Sequence, residues 1–553
     1  MASHEREYFT KRVITTKIYP KKVFINQLGY KPADIKQAVF SAPLEKFWVE
    51  NSAGEVCLEG SVNHFGLDIA SQDDVYVADF SLLDKAGKYR IKGDNGEESF
   101  EFEICENVYD TLTFDVLKAF YFLRCGIELK SEHAGVYTHA PCHTGKALVW
   151  DDHSVSAEVT GGWHDAGDYG RYVTPGATAV AHLLFAYKMY PEVYENLKLN
   201  IPESGNGVPD ILNEARVELE WILKMQRADG AVYHKATTAQ HADFVMPEDD
   251  LRQMFVLPVS TMATADLAAV CALASTIYRK FDPEFADRLI NAAIKTGEWL
   301  EANPEFIGFN NPKGCGTGGY GEWNDRDNRF WAWCELYLAT GDEKYHTLMK
   351  NAIDEKFPLT ALGVGMVTGL GTLSYILSDR ADKDPELVEK FKQAFVASAE
   401  YLAKVSDNCG YGVAMDEKSY GWGSNMGVGK NGMIFAIADY CENGSRFKEY
   451  AHKQLDFLLG VNATGYSMVT GAGEFCINYP HLRPAHADGI EKCMPGYVSG
   501  GPNSHRQDAD ARRLIPEGTP PMKCFIDEVG SYSINEITIY WNSPLVFMLG
   551  YLN

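Results

Sequence analysis

The residues best suited to chemistry lie in segment 161–172, which reads GGWHDAGDYGRY. Two carboxylates, Asp165 and Asp168, stand three residues apart among glycines and aromatic side chains. Two such acids can hold one water molecule, or can acquire different pKa values and divide acid and base roles. Glycines let the backbone approach a ligand closely. Acids are also common in solvated surface turns, so the local pattern leaves both interpretations open.

A second group of chemically active residues leads into the same segment. Cys125 follows a predicted helix, Cys142 and His143 lie in the next loop, and His164 directly precedes Asp165. Two thiolates and two imidazoles form the ligand set of a tetrahedral structural zinc site. Such a site has no open coordination position, so a zinc ion there would brace the loop that carries the aspartates. The alternative is two buried cysteines beside two ordinary polar histidines.

The overall composition favours a neutral substrate. The chain has 553 residues, a formal net charge of -25, 46% hydrophobic residues and 23% charged residues. This composition is typical of a folded globular protein, and the length favours two domains. The negative charge disfavours nucleic acid and anionic membranes as partners, because binding either needs clustered basic residues. No partner protein is indicated, and we expect a monomer.

The N-terminal residues and the cysteines bear on the cellular compartment. The start, MASHEREY, lacks the apolar core of a secretory signal, and no uninterrupted apolar run is long enough to cross a bilayer. We therefore expect a cytoplasmic protein, or a secreted one if a leader has been removed. The 12 cysteines are spread along the chain, unlike those of a small disulfide scaffold. Cys271 and Cys334 stand in apolar helical contexts and are expected to be buried thiols.

Two kinds of periodicity divide the chain. After an N-terminal arm of residues 1–20, residues 21–106 contain short β-rich runs between turn signals, which predicts a small β-sandwich. Residues 107–553 have a helical period, with apolar residues on one face of segment 209–226. Long loops rich in glycine and aromatic residues join the helices, and such loops usually carry function. Further amphipathic stretches are predicted around 111–124, 175–190, 260–280, 285–301, 329–340, 386–404, 429–441, 446–459 and 534–551.

Taken together, these motifs resemble glycoside hydrolase family 9, the inverting β-1,4-glucanases. Three short motifs carry the resemblance: DAGD at 165–168, PHLR at 480–483 and YSINE at 532–536. The resemblance covers essentially the whole chain. It implies a multidomain protein in which an immunoglobulin-like β-sandwich is followed by an all-α (α/α)6 barrel, a ring of six inner and six outer helices.

The resemblance also implies catalytic roles. Asp168 is expected to be the general base, Asp165 to share the grip on the attacking water, and Glu536 to be the general acid. An inverting glycosidase needs such a base and acid on opposite faces of the sugar, with carboxyl groups about 6.5–9.5 Å apart. The acid must stay protonated near neutral pH, which requires an apolar or anionic neighbourhood.

Four further residues are predicted to bind the sugar. His481 and Arg483 alternate in an extended stretch, so both can face the same way, and their donors suit sugar hydroxyls. The alternative for Arg483 is a structural ion pair. Trp422, which lies between two glycines, and Tyr532 are the candidate stacking platforms, although aromatic residues more often belong to a core.

The resemblance implies metal sites as well. Members of the same branch carry a structural zinc, and the set Cys125, Cys142, His143 and His164 matches its ligands in type and order. Branch members also bind calcium, for which Glu203, Asn206 and Asp210 offer hard oxygen ligands. The stretch 340–343 is another candidate. A helix-capping loop explains either calcium set equally well.

Within the family, an endoglucanase and a cellodextrinase that acts on short soluble chains both fit these motifs. One alternative is an exo-β-glucosaminidase acting on chitosan oligosaccharides, which an extra acid contacting the 2-amino group would mark. A second is an oligosaccharide-binding protein without catalysis, although the presence of both acids argues against it. A third is a zinc hydrolase that uses metal-bound water.

Overall fold

The computed structural model describes residues 17–553, and its N-terminal part consists of two β-sheets packed face to face. One sheet has the strand order Val23–Phe24, Gln37–Phe40, Asp74–Asp79 and Asn63–Leu67. The other has the order Gly29–Tyr30, Phe102–Ile104, Gly87–Gly93, Lys46–Asn51 and Val56–Ser61. Of the predicted N-terminal arm, residues 1–16 lie outside the described part of the chain.

Alternating side chains explain why these segments form a sandwich. In Lys46–Asn51, Phe47 and Val49 are buried while Lys46 is exposed. In the neighbouring strand Gly87–Gly93, Ile91 is buried in the same core and pairs with Val49 across the two strands. Because side chains along a strand alternate between faces, this pattern places one apolar row between the two sheets.

Twelve helices of nine residues or more follow among residues 17–553, and they form the predicted (α/α)6 barrel. Helices such as Thr261–Tyr278 are buried on every side, whereas Pro283–Ala302 buries only one face, as expected for an inner and an outer ring. The twelve are Asp110–Phe122, Val173–Met189, Asp210–Lys224, Thr261–Tyr278, Pro283–Ala302, Arg326–Thr340, Glu343–Asn351, Thr368–Leu377, Pro385–Asp407, Ser424–Glu442, Lys448–Leu458 and Ile539–Leu552.

The inner helix Thr261–Tyr278 is also, within residues 17–553, the one helix long and apolar enough to cross a membrane. Of that helix, 89% is buried inside the protein. Its composition is therefore explained by its place in the barrel. Cys271 on this helix and Cys334 on Arg326–Thr340 are fully buried, which confirms their prediction as core thiols.

Several elements of the helical domain were not predicted. The helix Thr368–Leu377 contains two glycines, which lower intrinsic helix propensity. A Cβ at Gly371 would lie 3.2 Å from the Cα of Trp331, so this glycine allows two helices to pack closely. A five-stranded sheet was also missed, in the order Asp152–Ala157, Ala147–Val149, Met254–Val256, Lys235–Thr238 and Arg171–Tyr172. All five strands have six residues or fewer, and apart from the neighbouring pair Ala147–Val149 and Asp152–Ala157 they are far apart in the sequence, so no local periodicity predicts them.

Hydrogen bonds join the sandwich directly to the barrel. The side-chain amide of Asn26 donates to Asp456 Oδ1 at 2.8 Å, and the backbone N–H of Gln27 donates to Leu459 O at 3.0 Å. The Gln27 side chain also donates to Gly465 O at 2.9 Å. These contacts are buried and link residues more than 400 positions apart, so they fix how the two parts pack.

Candidate active site

The three motifs of the resemblance meet around one cavity of about 790 Å³. Backbone pairing holds them together, since Ala166 pairs with Thr538 and His481 pairs with Glu536. All of the predicted catalytic and sugar-binding residues line this cavity, namely Asp165, Asp168, Trp422, His481, Arg483, Tyr532 and Glu536. More than 300 residues separate the first motif from the second in the sequence, so only tertiary packing forms the site.

Gly167 is the point at which the first two motifs approach too closely for a side chain. A Cβ there would lie 1.9 Å from the carbonyl oxygen of His481. Gly167 O accepts hydrogen bonds from the backbone N–H of Arg483 at 3.2 Å and from its Nη1 at 2.7 Å. Arg483 Nε donates to Ala242 O at 2.8 Å. The guanidinium therefore braces the loops beside the aspartates while it lines the cavity.

Asp168 is held as an anion. Its Oδ2 accepts hydrogen bonds from Gly170 N at 3.0 Å and Tyr172 Oη at 3.3 Å, and lies 3.3 Å from His241 Nδ1. Burial by itself would raise the pKa of Asp168. The hydrogen bond from His241 and the charge of Arg483 outweigh burial and hold this pKa well below its ordinary range. An ionised carboxylate facing a cavity is what a general base requires.

The environment of Asp165 shifts its pKa in the opposite direction. Its Oδ2 accepts a hydrogen bond of 2.5 Å from Tyr320 Oη. Its Oδ1 is buried and has no hydrogen-bond partner among residues 17–553. Burial raises the pKa of Asp165 well above its ordinary value, the Tyr320 hydrogen bond opposes part of this rise, and the charge of Asp168 adds to it. Asp165 Oδ1 therefore has free lone pairs beside the anionic Asp168, which suits its predicted role in holding the attacking water molecule.

Glu536 comes from a distant part of the chain and lines the same cavity. Its backbone is extended, with ψ 157°, between the short helix Tyr532–Asn535 and the helix Ile539–Leu552. Burial raises the pKa of Glu536 well above its ordinary value, and the charge of Asp168 raises it further while Arg483 opposes the rise. The pKa values of Glu536 and Asp168 thus shift in opposite directions, which separates an acid from a base.

The predicted sugar-binding aromatics form an open edge of the cavity. Trp422 is 48% exposed and Tyr532 is 39% exposed, and their ring centroids are 5.5 Å apart. His481 Nδ1 donates to Val529 O at 2.7 Å, and burial lowers the pKa of His481 to about 4. The ring is therefore neutral near pH 7, and its Nε2 is an acceptor for a sugar hydroxyl.

Sequence reasoning missed two residues that contact the aspartates. Tyr320 and His241 come from loops 155 and 73 positions beyond their partners Asp165 and Asp168. Tyr320 has φ 50°, which is uncommon for a residue with a side chain. Its setting in GTGGYGEW, rich in glycine and aromatic residues like segment 161–172, was a signal that could have identified it.

The four predicted zinc ligands form a compact cluster beneath the same segment. The donor atoms of Cys125, Cys142, His143 and His164 lie within 4.8 Å of one another, and all four side chains are buried. His143 Nδ1 has no hydrogen-bond partner among residues 17–553. Its Nε2 lies 3.4 Å from Asp250 Oδ2, and a carboxylate behind a histidine is typical of metal ligation. The cluster is a candidate metal site.

The predicted calcium ligands are engaged by other protein groups. Both carboxylate oxygens of Glu203 accept hydrogen bonds at 3.0 Å from Arg124, a cation that also pairs with Glu214 at 2.8 Å. Asp210 Oδ2 accepts from Leu199 N at 2.7 Å, and Asn206 Oδ1 accepts from Val208 N at 2.9 Å. These contacts give the loop a structural role, and calcium binding there stays a prediction.

The second calcium candidate, stretch 340–343, connects two helices. Gly341 ends the helix Arg326–Thr340 in a left-handed conformation with φ 77°. Asp342 then caps the next helix, because its side chain accepts a hydrogen bond from Lys344 N at 3.0 Å. The stretch is thus the helix-capping loop that the sequence left open as an alternative.

Comparisons with known proteins identify the family. The family model for glycosyl hydrolase family 9 matches residues 109–549. The chain belongs to glycosyl hydrolase family 9. A model of the cellulase N-terminal ig-like domain matches residues 19–98. The predicted resemblance, the fold class and the assignment as a glycoside hydrolase are therefore confirmed.

Individual relatives extend over nearly the whole family 9 chain. A cellodextrinase of Butyrivibrio fibrisolvens is 45% identical over 546 residues, which cover 96% of this chain and 99% of the relative. The structure of a single mutant of a thermostable endoglucanase from Alicyclobacillus acidocaldarius has a TM-score of 0.91 and 33% identity, covering 96% of this chain and 99% of that chain. A Zn-binding triple mutant of a family 9 endoglucanase has a TM-score of 0.90 and 31% identity, covering 94% and 99%.

Proposed function

We propose that this protein hydrolyses β-1,4-glucosidic bonds in glucans or cellodextrins with inversion at the anomeric carbon. The observation that carries the proposal is the opposite shift of two pKa values in one cavity, with Asp168 ionised and Glu536 protonated. Exposed aromatic rings at the cavity edge suit a sugar substrate. The relatives named cellodextrinase and endoglucanase support the same substrate class.

The proposed reaction is a single displacement. A water molecule held between Asp165 and Asp168 attacks the anomeric carbon, and Asp168 takes the proton that the water loses. Glu536 gives its proton to the glycosidic oxygen as the bond to the leaving sugar breaks. Asp168 ends protonated and Glu536 ends ionised, so protons exchanged with solvent reset both. Tyr320 orients Asp165, because its hydroxyl occupies Oδ2 and leaves Oδ1 for the water.

We further propose that the cysteine–histidine cluster holds zinc. Two thiolates and two imidazoles are the donors that tetrahedral zinc prefers, and the buried Nδ1 of His143 needs a partner. Bound there, zinc would supply a cross-link between loops. Within residues 17–553 none of the four ligands is among the residues that line the catalytic cavity. This separation favours a structural metal over a zinc hydrolase.

Product analysis on cellohexaose, with the anomeric configuration followed by NMR, tests the reaction. We expect α products to appear first from the β-linked substrate. A first-formed β product would overturn the inverting mechanism. Unchanged turnover after Asp168→Asn would overturn the assignment of the base.

Hydrolysis of chitosan oligosaccharides is the second candidate, since Glu322 is an additional carboxyl that lines the cavity. Burial, together with the charge of Asp327, raises the pKa of Glu322 to about 8. An ammonium group beside Glu322 would lower this pKa again, so the choice rests on the relatives named cellodextrinase and endoglucanase. We therefore expect cleavage of cellohexaose and little cleavage of chitohexaose under the same conditions. Preferential cleavage of chitohexaose would reverse this choice.

A further inference from the structure

A surface groove continues the catalytic cavity past Trp422. A depression of about 380 Å³ shares Trp422 and Met426 with the cavity. A second depression, of about 390 Å³, shares Tyr401, Leu402 and Asn431 with the first. We call the two depressions together the Tyr401 groove. Each depression shares lining residues with the next, so the cavity and the groove adjoin at Trp422 and Met426.

Two helices form the walls of the Tyr401 groove. Tyr401 lies near the end of Pro385–Asp407, and Asn431 lies on Ser424–Glu442. Tyr401 is 64% exposed, so its ring is available to a ligand. Asp416 and Lys430 also line the groove. Aromatic faces combined with polar side chains are suited to sugar rings and their hydroxyls.

Ring contacts connect the residues beside the proposed acid to Trp422. His481 pairs with Glu536 through the backbone, and its ring centroid is 5.9 Å from that of Tyr532. Tyr532 is in turn 5.5 Å from Trp422. A glucan chain that passes Trp422 would therefore continue into the groove.

We propose that the Tyr401 groove binds sugar units of a β-1,4-glucan that extend past the cavity. The proposal rests on the proposed function, because the same chain must enter the cavity. Continuity of the groove with the cavity through Trp422 selects this occupant over a protein segment. The groove therefore increases activity on long glucan chains and leaves activity on short cellodextrins unchanged.

The test compares Tyr401→Ala with the wild type on cellotriose and cellohexaose. We expect kcat/KM to fall about threefold to tenfold on cellohexaose, as for the loss of one aromatic contact, and to stay unchanged on cellotriose. Tyr440→Ala is the matched control, because Tyr440 is 47% exposed on Ser424–Glu442 but does not line either depression. Tyr401→Trp keeps a ring and should keep the preference for the longer chain.

Three outcomes would overturn the groove proposal: no change on cellohexaose, an equal loss on both substrates, or the same loss in Tyr440→Ala. Failure of the proposed function looks different. In that case the wild type cleaves neither substrate, or Asp168→Asn still cleaves both. Affinity for cellohexaose in the Asp168→Asn background gives a second readout, and adding Tyr401→Ala should weaken it by a similar factor.

Discussion

The catalytic cavity and the cysteine–histidine cluster occupy two sides of one segment and have opposite properties. His164 and Asp165 are adjacent in the sequence, yet one belongs to a closed cluster and the other to an open cavity. In the cluster, four donor atoms converge on one point with no room for a substrate. In the cavity, Asp165 Oδ1 accepts no hydrogen bond from residues 17–553. Within this segment, His164 is thus placed in a stabilising cluster and the adjacent Asp165 in a cavity suited to chemistry.

The comparison shows how the protein holds reactive carboxyls in place. Backbone hydrogen bonds connect the loop after Asp110–Phe122 to segment 161–172, with Cys125 N donating to Gly162 O at 2.8 Å and His164 N donating to Leu123 O at 2.7 Å. A metal on the cluster side would strengthen this connection. The carboxyls on the other side can then keep unusual pKa values, because the loop cannot relax to solvate them.

The largest expected effect is on the cavity side. Asp168→Asn should lower kcat by about 10²- to 10⁴-fold, the range for loss of general base catalysis, with only a small fall in melting temperature from the loss of the ionised carboxylate that accepts from Gly170 N and Tyr172 Oη. Turnover of cellohexaose and thermal unfolding are the two measurements. The exposed Asp151→Asn is the control and should retain full activity. A large fall in melting temperature with Asp168→Asn would show that this residue also supports the fold.

On the cluster side, Cys142→Ser should lower the melting temperature of the protein and leave kcat nearly unchanged. We expect the variant to lose bound zinc and to melt lower by about 5 °C or more, because metal binding contributes directly to folding. Its kcat at a temperature where it stays folded should change little. Cys57→Ser, at an exposed thiol of the sandwich, should behave like the wild type. Immediate loss of turnover on chelation, before unfolding, would instead place the metal in the reaction.

The pH profile tests the electrostatics of the cavity. Activity requires ionised Asp168, whose pKa is depressed, and protonated Glu536, whose pKa is raised. As the pH increases, kcat/KM should therefore rise at a pH below about 3.9, the ordinary pKa of an aspartate, because Asp168 ionises there. It should fall again at a pH above about 4.3, the ordinary pKa of a glutamate, because Glu536 loses its proton there.

The variant His241→Ala tests whether His241 keeps Asp168 ionised. Removing the His241 hydrogen bond lets burial raise the pKa of Asp168, so the acidic limb should move to higher pH while the alkaline limb stays in place. The exposed His153→Ala is the control. An unmoved acidic limb would mean that His241 does not hold Asp168 ionised.

The smallest effect is expected at the open edge of the cavity. Trp422→Ala should raise KM for cellohexaose about twofold to tenfold with little change in kcat, because a stacking face contributes to binding more than to bond cleavage. Steady-state kinetics separate the two constants. Trp422→Tyr keeps a ring and should recover most of the affinity. An equal loss in both variants would indicate disturbed packing.

The success of sequence reasoning differed between local and distant features. The strands Gln37–Phe40 and Asp74–Asp79 lie within the predicted β-rich region 21–106, because alternation is a local signal. The sequence predicted Asp165, Asp168 and Glu536 as catalytic residues because each lies in a compact motif. The predicted stretch 534–551 is a helix only from Ile539, since Thr538 caps it by accepting from Trp541 N at 3.2 Å.

Features that depend on distant contacts were missed. One such feature is the pairing of Glu203 with Arg124, which lies about 80 residues away and which nothing beside Glu203 in the sequence indicates. Likewise, nothing near Asp165 in the sequence indicates Tyr320. The Tyr401 groove arises from residues of two helices, so its existence depends on how those helices pack.

The sequence by itself determined which side chains are available: two aspartates and a glutamate for acid–base chemistry, and two cysteines and two histidines for a metal. Tertiary structure decided what each of them does. Asp165 and Asp168 are the same residue type three positions apart, yet their pKa values shift in opposite directions. The reason is physical: a pKa depends on burial and on charges nearby in space, and folding brings His241, Tyr320 and Arg483 to the aspartates from distant parts of the chain.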